Sequence, residues 1–199
     1  TMFDALFTTT TEYKKLSHAL SGKGACALFG LPASGRAQVY AALCRQLDKP
    51  LCIVTPGEAE ATRFAADLNT LGIPAAVFPA RDYVLRPIEG TAREYEYRRL
   101  AVLGELVGGR LRAVAVPAEA LTQFTTPKED FCANTRTLHA GDTLLRDDLL
   151  AALFGAGYTR RAQVDGPGQF SVRGDIVDIF APDQKMPVRM EFWGDEIDT

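Results

Sequence analysis

Hydrophobic positions in the first part of the chain follow two rhythms. Tyr13, Leu16, Ala19 and Leu20 recur at helical spacing behind the polar run Thr8 to Thr11, which supplies candidate N-caps. Ala25-Cys26-Ala27-Leu28-Phe29 is instead a continuous apolar run ended by Gly30, the pattern of a parallel strand covered on both faces. A helix is then predicted from about Gly35 to Leu47, with Val39, Leu43 and Leu47 on one side, followed by a strand over Leu51 to Thr55. Pro56-Gly57-Glu58 opens a helix reaching about Leu71, and Ala75 to Phe78 reads as a third strand. After a loop from Pro79 to Gly90, a charged helix covers Thr91 to Val107 and stops at Gly108-Gly109. Leu111 to Val116 is a fourth strand, closed by Pro117 and a short helix. Strands alternating with helices over short links predict an α/β fold with a doubly wound, mostly parallel sheet.

The rhythm changes beyond the polar stretch Thr125 to Asn134, which carries Pro127 and reads as a boundary. An extended piece over Thr135 to His139 and a helix over Leu144 to Phe154 lead into a cluster of short strands. Ile176, Val177, Ile179 and Phe180 mark one buried strand, while Val188, Met190 and Phe192 alternate with Arg189 and Glu191 as a half-buried one. Gly-Asp pairs at 174–175 and 194–195 favour tight reversals. The expected organisation is an α/β domain over residues 1–127 and a small α+β module with an antiparallel sheet over 128–199.

Composition narrows the function. Of 199 residues, 47% are hydrophobic and 24% charged, an ordinary globular balance. A net charge of -3 argues against a protein whose main task is gripping DNA by its phosphates. From Tyr158 onward five Arg or Lys stand against eight Asp or Glu, which suits a protein partner better. Cys26, Cys44, Cys52 and Cys132 form no C-x-x-C pair, and with His18 and His139 complete no metal-ligand spacing. Cys26 and Cys52 lie in apolar runs and Cys44 on a helical apolar face, so buried, reduced thiols are expected. No signal peptide and no apolar run of membrane-spanning length stand out, which places the chain in the cytoplasm.

Gly30-Leu31-Pro32-Ala33-Ser34-Gly35-Arg36-Ala37 sits between the first expected strand and helix, where a phosphate loop would read G-x-x-x-x-G-K-[ST]. Gly30 and Gly35 are in register, but Arg36 replaces the lysine and Ala37 the hydroxyl residue. A planar guanidinium does not reproduce the compact ammonium on the β- and γ-phosphates. Alanine offers a magnesium ion nothing. The loop is read as a degenerate, non-functional phosphate site, so neither ATP nor magnesium is expected as a cofactor of this chain, and no enzyme activity.

The wording of the last forty or so residues is distinctive. Gly157-Tyr158-Thr159-Arg160 is followed by Phe170-Ser171-Val172-Arg173-Gly174-Asp175-Ile176-Val177-Asp178-Ile179-Phe180, then by Pro187-Val188-Arg189-Met190-Glu191-Phe192-Trp193-Gly194-Asp195-Glu196-Ile197-Asp198. These phrases resemble the module that UvrB and the transcription-repair coupling factors (the Mfd family) share, and with which both dock UvrA. The broken phosphate loop and the direct passage from Arg81-Asp82-Tyr83 into the helix at Thr91 leave neither nucleotide chemistry nor room for a DNA-clamping hairpin of the UvrB kind. Phe78-Pro79-Ala80-Arg81-Asp82 and Arg98-Arg99-Leu100-Ala101-Val102-Leu103 likewise resemble the coupling-factor branch. The resemblance implies a UvrB-like, RecA/helicase-type first domain with a degenerate phosphate loop and a UvrA-interaction domain behind it. It further implies a longer parent, an ATP-dependent DNA translocase that displaces stalled RNA polymerase, whose polymerase- and DNA-binding parts lie elsewhere. Because the family pattern continues past Glu196-Ile197-Asp198, the chain is expected to be a piece of that parent.

By the same resemblance, Arg160 and Arg173 are the candidate UvrA contacts, while Ser171 stands where UvrB has a further arginine. An arginine's planar fork pairs bidentately with carboxylates and is a frequent interface hot spot. Asp175 is expected in the turn after Gly174, and Asp178 paired with an arginine or on the outer face, rather than either acting as an acid or base. The mixed-sign run Arg93 to Arg99 reads as a solvated helix face. Two rival functions are a UvrB-like ATP-dependent damage-recognition subunit, which needs the Gly30–Ala37 loop to bind nucleotide, and a non-specific DNA-binding module.

Overall fold

The computed structural model describes residues 8–22, 25–47, 49–81 and 91–199. Its described residues form two compact units, one comprising residues up to Arg81 with Glu105–Gln123, the other Thr91–Gly104 with Phe124–Thr199.

In the first unit, helix α1 (Thr11–Ser21) starts at Thr10, whose hydroxyl accepts from the Tyr13 amide at 3.3 Å, the cap its sequence promises. Helix α2 (Ala33–Gln46), strand β1 (Leu51–Thr55), helix α3 (Glu58–Thr70) and strand β2 (Ala75–Val77) follow. Helix α4 (Thr91–Val107), whose residues up to Gly104 belong to the second unit, leads to strand β3 (Ala113–Pro117) and the short helix α5 (Ala118–Leu121) of the first. The sheet is parallel throughout, in the order β1-β3-β2, with Ala115 between Ile53 and Val77. Ile53, Ala75, Ala113 and Ala115 pack against Ala41 and Cys44 of α2 and Phe64 and Leu68 of α3. Small residues on β3 let the helices approach closely. Asn69 docks β2 by accepting from the Ala75 amide at 3.1 Å and donating to the Ala75 carbonyl at 2.8 Å.

The expected strand over Ala25–Phe29 does not form. These residues are exposed and have no ladder partner, and Phe29 is 88% exposed. The run contains no β-branched residue, whereas β1 has three in Ile53, Val54 and Thr55, so little intrinsic preference holds it extended without packing. Two thiols are corrected with it. Cys26 is exposed, and so is Cys52, because its face of β1 is uncovered alongside Val54, while Cys44 alone of the three is buried. Burial pushes the Cys44 thiol up, against the lowering pull of Arg112 and Arg45.

The second unit contains helix α6 (Lys128–Ala133), helix α7 (Arg146–Gly155) and strands β4 (Thr159–Arg160), β5 (Gln169–Arg173), β6 (Ile176–Phe180), β7 (Val188–Trp193) and β8 (Glu196–Ile197) in sequential order across one sheet. Leu149 and Leu153 of α7 cover Phe170, Val177, Met190, Phe192 and Ile197. The β5–β6 and β7–β8 reversals are two-residue turns with Gly174 and Gly194 first, at φ of 61° and 62°. Glycine at the first central position with an aspartate of negative φ behind it is the type II′ pattern that matches strand twist.

The sheet is mixed rather than antiparallel as expected: β4 runs parallel to β5, with Thr159 beside Gln169 and Arg160 beside Phe170. Gly166-Pro167-Gly168 turns the intervening loop back far enough for β5 to start alongside β4 in the same direction, and Gly168 takes φ of 73° to do so. A Cβ at Gly168 would overlap the Tyr97 ring of α4. The expected solvated face over Arg93–Arg99 is therefore only partly so. Arg99 is buried, with Nη2 donating to Thr125 Oγ1 at 2.8 Å, because one side of this helix segment packs within the unit. The loop expected over residues 82–90 lies outside the described residues.

Candidate partner-docking face

Alternation along β5, β6 and β7 divides the small module's sheet into two faces. Phe170, Val172, Val177, Ile179, Met190 and Phe192 point into the core under α7. Gln169, Ser171 and Arg173 therefore share the other face with Ile176, Asp178 and Phe180, and with Arg189, Glu191 and Trp193. Register sets Ser171 opposite Asp178, and Asp178 opposite Arg189.

That row is tied together by charge-assisted hydrogen bonds. Arg189 donates from Nε to Asp178 Oδ1 at 2.7 Å and from Nη2 to Oδ2 at 3.1 Å. Arg173 Nη2 reaches the same Oδ2 at 2.9 Å, and the Ser171 hydroxyl donates to it at 3.3 Å. Only 13% of the Asp178 side chain is exposed, against 59% for Arg173 and 54% for Arg189. The hydrogen bonds from Arg189, then from Arg173 and Ser171, outweigh the burial that opposes them and hold the Asp178 carboxyl down to about 2. The aspartate is thus a fixed anion under two guanidiniums whose other nitrogens have no hydrogen-bond partner among the described residues. Asp178 pairs with arginine on the outer face, as its sequence context suggested, and Asp175 lies in the Gly174 turn, taking a contact from Arg146 Nη1 at 3.3 Å.

The two arginines named from sequence are not brought together. Arg173 stands in the row of Ile176 and Glu191, whereas Arg160 stands in the row of Phe170, Ile179 and Val188. The rows are three residues apart, roughly 10 Å along the strand, and of opposite parity. Arg160 is exposed at the edge of the sheet, on β4. Sequence reasoning did not select Arg189. Its outward place was legible in the Val188-Met190-Phe192 alternation, but its position opposite Asp178 depends on the long link 181–187, which sets no register by itself.

The degenerate phosphate loop has its own geometry. Ala37 is buried in the helix–sheet core, and Arg36 Nη1 lies 3.7 Å from Glu60 Oε1. Gly30 takes φ of 78° and the Gly35 amide donates to the Pro32 carbonyl at 2.9 Å. Among the described residues no group of three or more His, Cys, Asp or Glu could hold a metal ion, and no helix is long and apolar enough to cross a membrane.

Residues 137–199, which contain the whole Asp178 network, match the family model of the UvrB interaction domain. The chain is 29% identical over 174 residues to the transcription-repair-coupling factor of Bacillus subtilis, covering 86% of this chain and 15% of that protein. It is 39% identical over 174 residues to the coupling factor of Mycobacterium bovis, covering 83% of this chain and 14% of that protein. The chain belongs to the UvrB-like region of the transcription-repair-coupling factors. Similarity to the coupling-factor branch is accompanied by similarity to UvrB itself: the UvrABC system protein B of Chlorobium limicola is 27% identical over 187 residues, 86% of this chain and 27% of that protein. The chain spans about 15% of the length of the coupling factors it matches. The UvrB-like module therefore supplies the frame in which Arg160, Arg173 and the Asp178 network are read.

Proposed function

We propose that this region recruits UvrA, and so links an RNA polymerase stalled at damage to nucleotide excision repair. The observation that carries the reading is the arginine pair on the outer face of the UvrB interaction domain. Arg173 and Arg189 are ordered by Asp178 yet more than half exposed, so docking would cost little of the rotamer entropy that usually weakens surface arginines. Arg160 would make a separate contact from the β4 edge. Surface plasmon resonance on immobilised UvrA tests this. Arg173→Ala should weaken binding by about 2 kcal/mol, the loss typical of a hot spot, and Arg160→Ala by less. Absence of wild-type binding would leave only the fold relationship.

The same proposal divides the chain into a UvrB-like first domain over 1–127, of RecA-like doubly wound ancestry, and the docking domain over 128–199. The parallel β1-β3-β2 sheet with its flanking helices supports the first part. The docking role needs neither a cofactor nor enzyme activity from this chain. A buried Ala37 and an Arg36 facing Glu60 support a loop that holds no ATP or magnesium. Polymerase displacement and DNA translocation belong to other parts of a longer cytoplasmic parent.

A further inference from the structure

Trp193 is the only tryptophan of the chain, and 84% of it is exposed. It is the last residue of β7 on the face that carries Arg189, and its register partner Glu196 on β8 is also exposed. Among the described residues the indole belongs to no core cluster. The core beneath is closed by Phe192, which faces the other way and is buried. The residues of the same face nearer the arginines behave differently: Ile176 and Asp178 are half-buried and Ser171 is buried. The face therefore has a packed, charge-ordered middle and one large bare aromatic at its end.

We propose that Trp193 is the apolar anchor of the docking face, inserted into a cleft of the partner whose rim carries carboxylates for Arg173 and Arg189. This rests on the UvrA reading above and names the chemistry of that contact. After bonding Asp178, Arg173 Nε and Nη1 and Arg189 Nη1 have no hydrogen-bond partner among the described residues. Those donors call for anions from outside. Trp193 lies four residues from Arg189 along one strand, roughly 13 Å, a span that four or five residues of an extended partner segment would cover. Tryptophan and arginine are the side chains most often found to dominate binding, and they do so when neighbours exclude water around them. Glu191, Asp195 and Glu196 lie beside Trp193 in sequence or register, so the partner's carboxylates belong at the arginine end of the cleft and not around the indole.

The single tryptophan makes the test direct. The chain labelled with 5-fluorotryptophan gives one fluorine resonance, that of Trp193, which should shift and lose its solvent isotope effect when unlabelled UvrA is added. Trp193→Ala should weaken UvrA binding tenfold or more, and Trp193→Phe should restore part of the loss, with thermal unfolding unchanged because the side chain is outside the core. If UvrA binds and Arg173→Ala weakens it, while the Trp193 resonance stays put and Trp193→Ala binds like wild type, the anchor is overturned and the UvrA reading stands. If wild type does not bind UvrA at all, both fall together.

Discussion

Arg189 grips Asp178 through both Nε and Nη2, at 2.7 and 3.1 Å, across neighbouring strands of the small sheet. This fork-on-carboxylate geometry is the strong form of an ion pair. It fixes the carboxylate that also takes Arg173, so one half-buried anion orders two exposed cations.

Removal of that anion should be felt first as stability. Asp178→Ala leaves two guanidiniums and the buried Ser171 hydroxyl without their acceptor, and a loss of ~2 kcal/mol at neutral pH is expected, tempered by the exposure of both arginines. The folded carboxyl is held at about 2 against an ordinary 3.8, so its contribution is complete above the ordinary value and disappears as pH falls toward 2. Urea midpoints of wild type and Asp178→Ala should therefore be well separated at pH 7 and converge near pH 2. An equal gap at both pH values would rule the linkage out.

Tyr158, of the Gly157-Tyr158-Thr159-Arg160 phrase, works in the opposite direction on the pH scale. Burial first, then the charge of Asp183 and the neighbouring Tyr97, push its phenol up to about 12. The fold thus favours the neutral phenol. Stability from this group is whole below its ordinary value of 10 and is lost as pH climbs through 12. Between pH 10 and 12 the wild type should lose about 2 kcal/mol more than Tyr158→Phe, measured by urea unfolding in parallel. Parallel declines in the two proteins would count against it.

Repairing the phosphate loop should fail. Arg36→Lys with Ala37→Thr recreates the motif in wording, but residue 37 is packed in the core with Ala41 and Ile53. A larger, polar side chain there should cost about 1–3 kcal/mol and confer no affinity for ATP with magnesium. Calorimetry and thermal unfolding of the double variant check both halves. Micromolar nucleotide binding by either protein would revive the UvrB-like ATPase as a function.

Much of the helical framework was legible because local chemistry decides it. Start and stop signals mark the helices over Glu58–Thr70 and Thr91–Val107, and the Thr10 cap starts the first helix where it should. The Gly-Asp pairs announced both tight reversals because only glycine takes their first position without strain. The run Ala25–Phe29 misled for a physical reason. Apolar content marks a segment that could be buried, but a strand also needs a neighbour to pair with and a layer to cover it, and neither is written in the run itself.

On its own, the amino-acid sequence determined most of the helices, the two Gly-Asp turns, the two faces of β5 to β7 and the wording that relates the chain to UvrB and the coupling factors. Each of these follows from interactions within a few residues or from residue identity. Only tertiary structure decided that Arg189 and Arg173 meet on one aspartate, that Arg160 stands apart, and that Trp193 is left bare. Those outcomes depend on strand register across links longer than a tight turn, and register is settled by which side chains can bury together, not by the residues of any one strand.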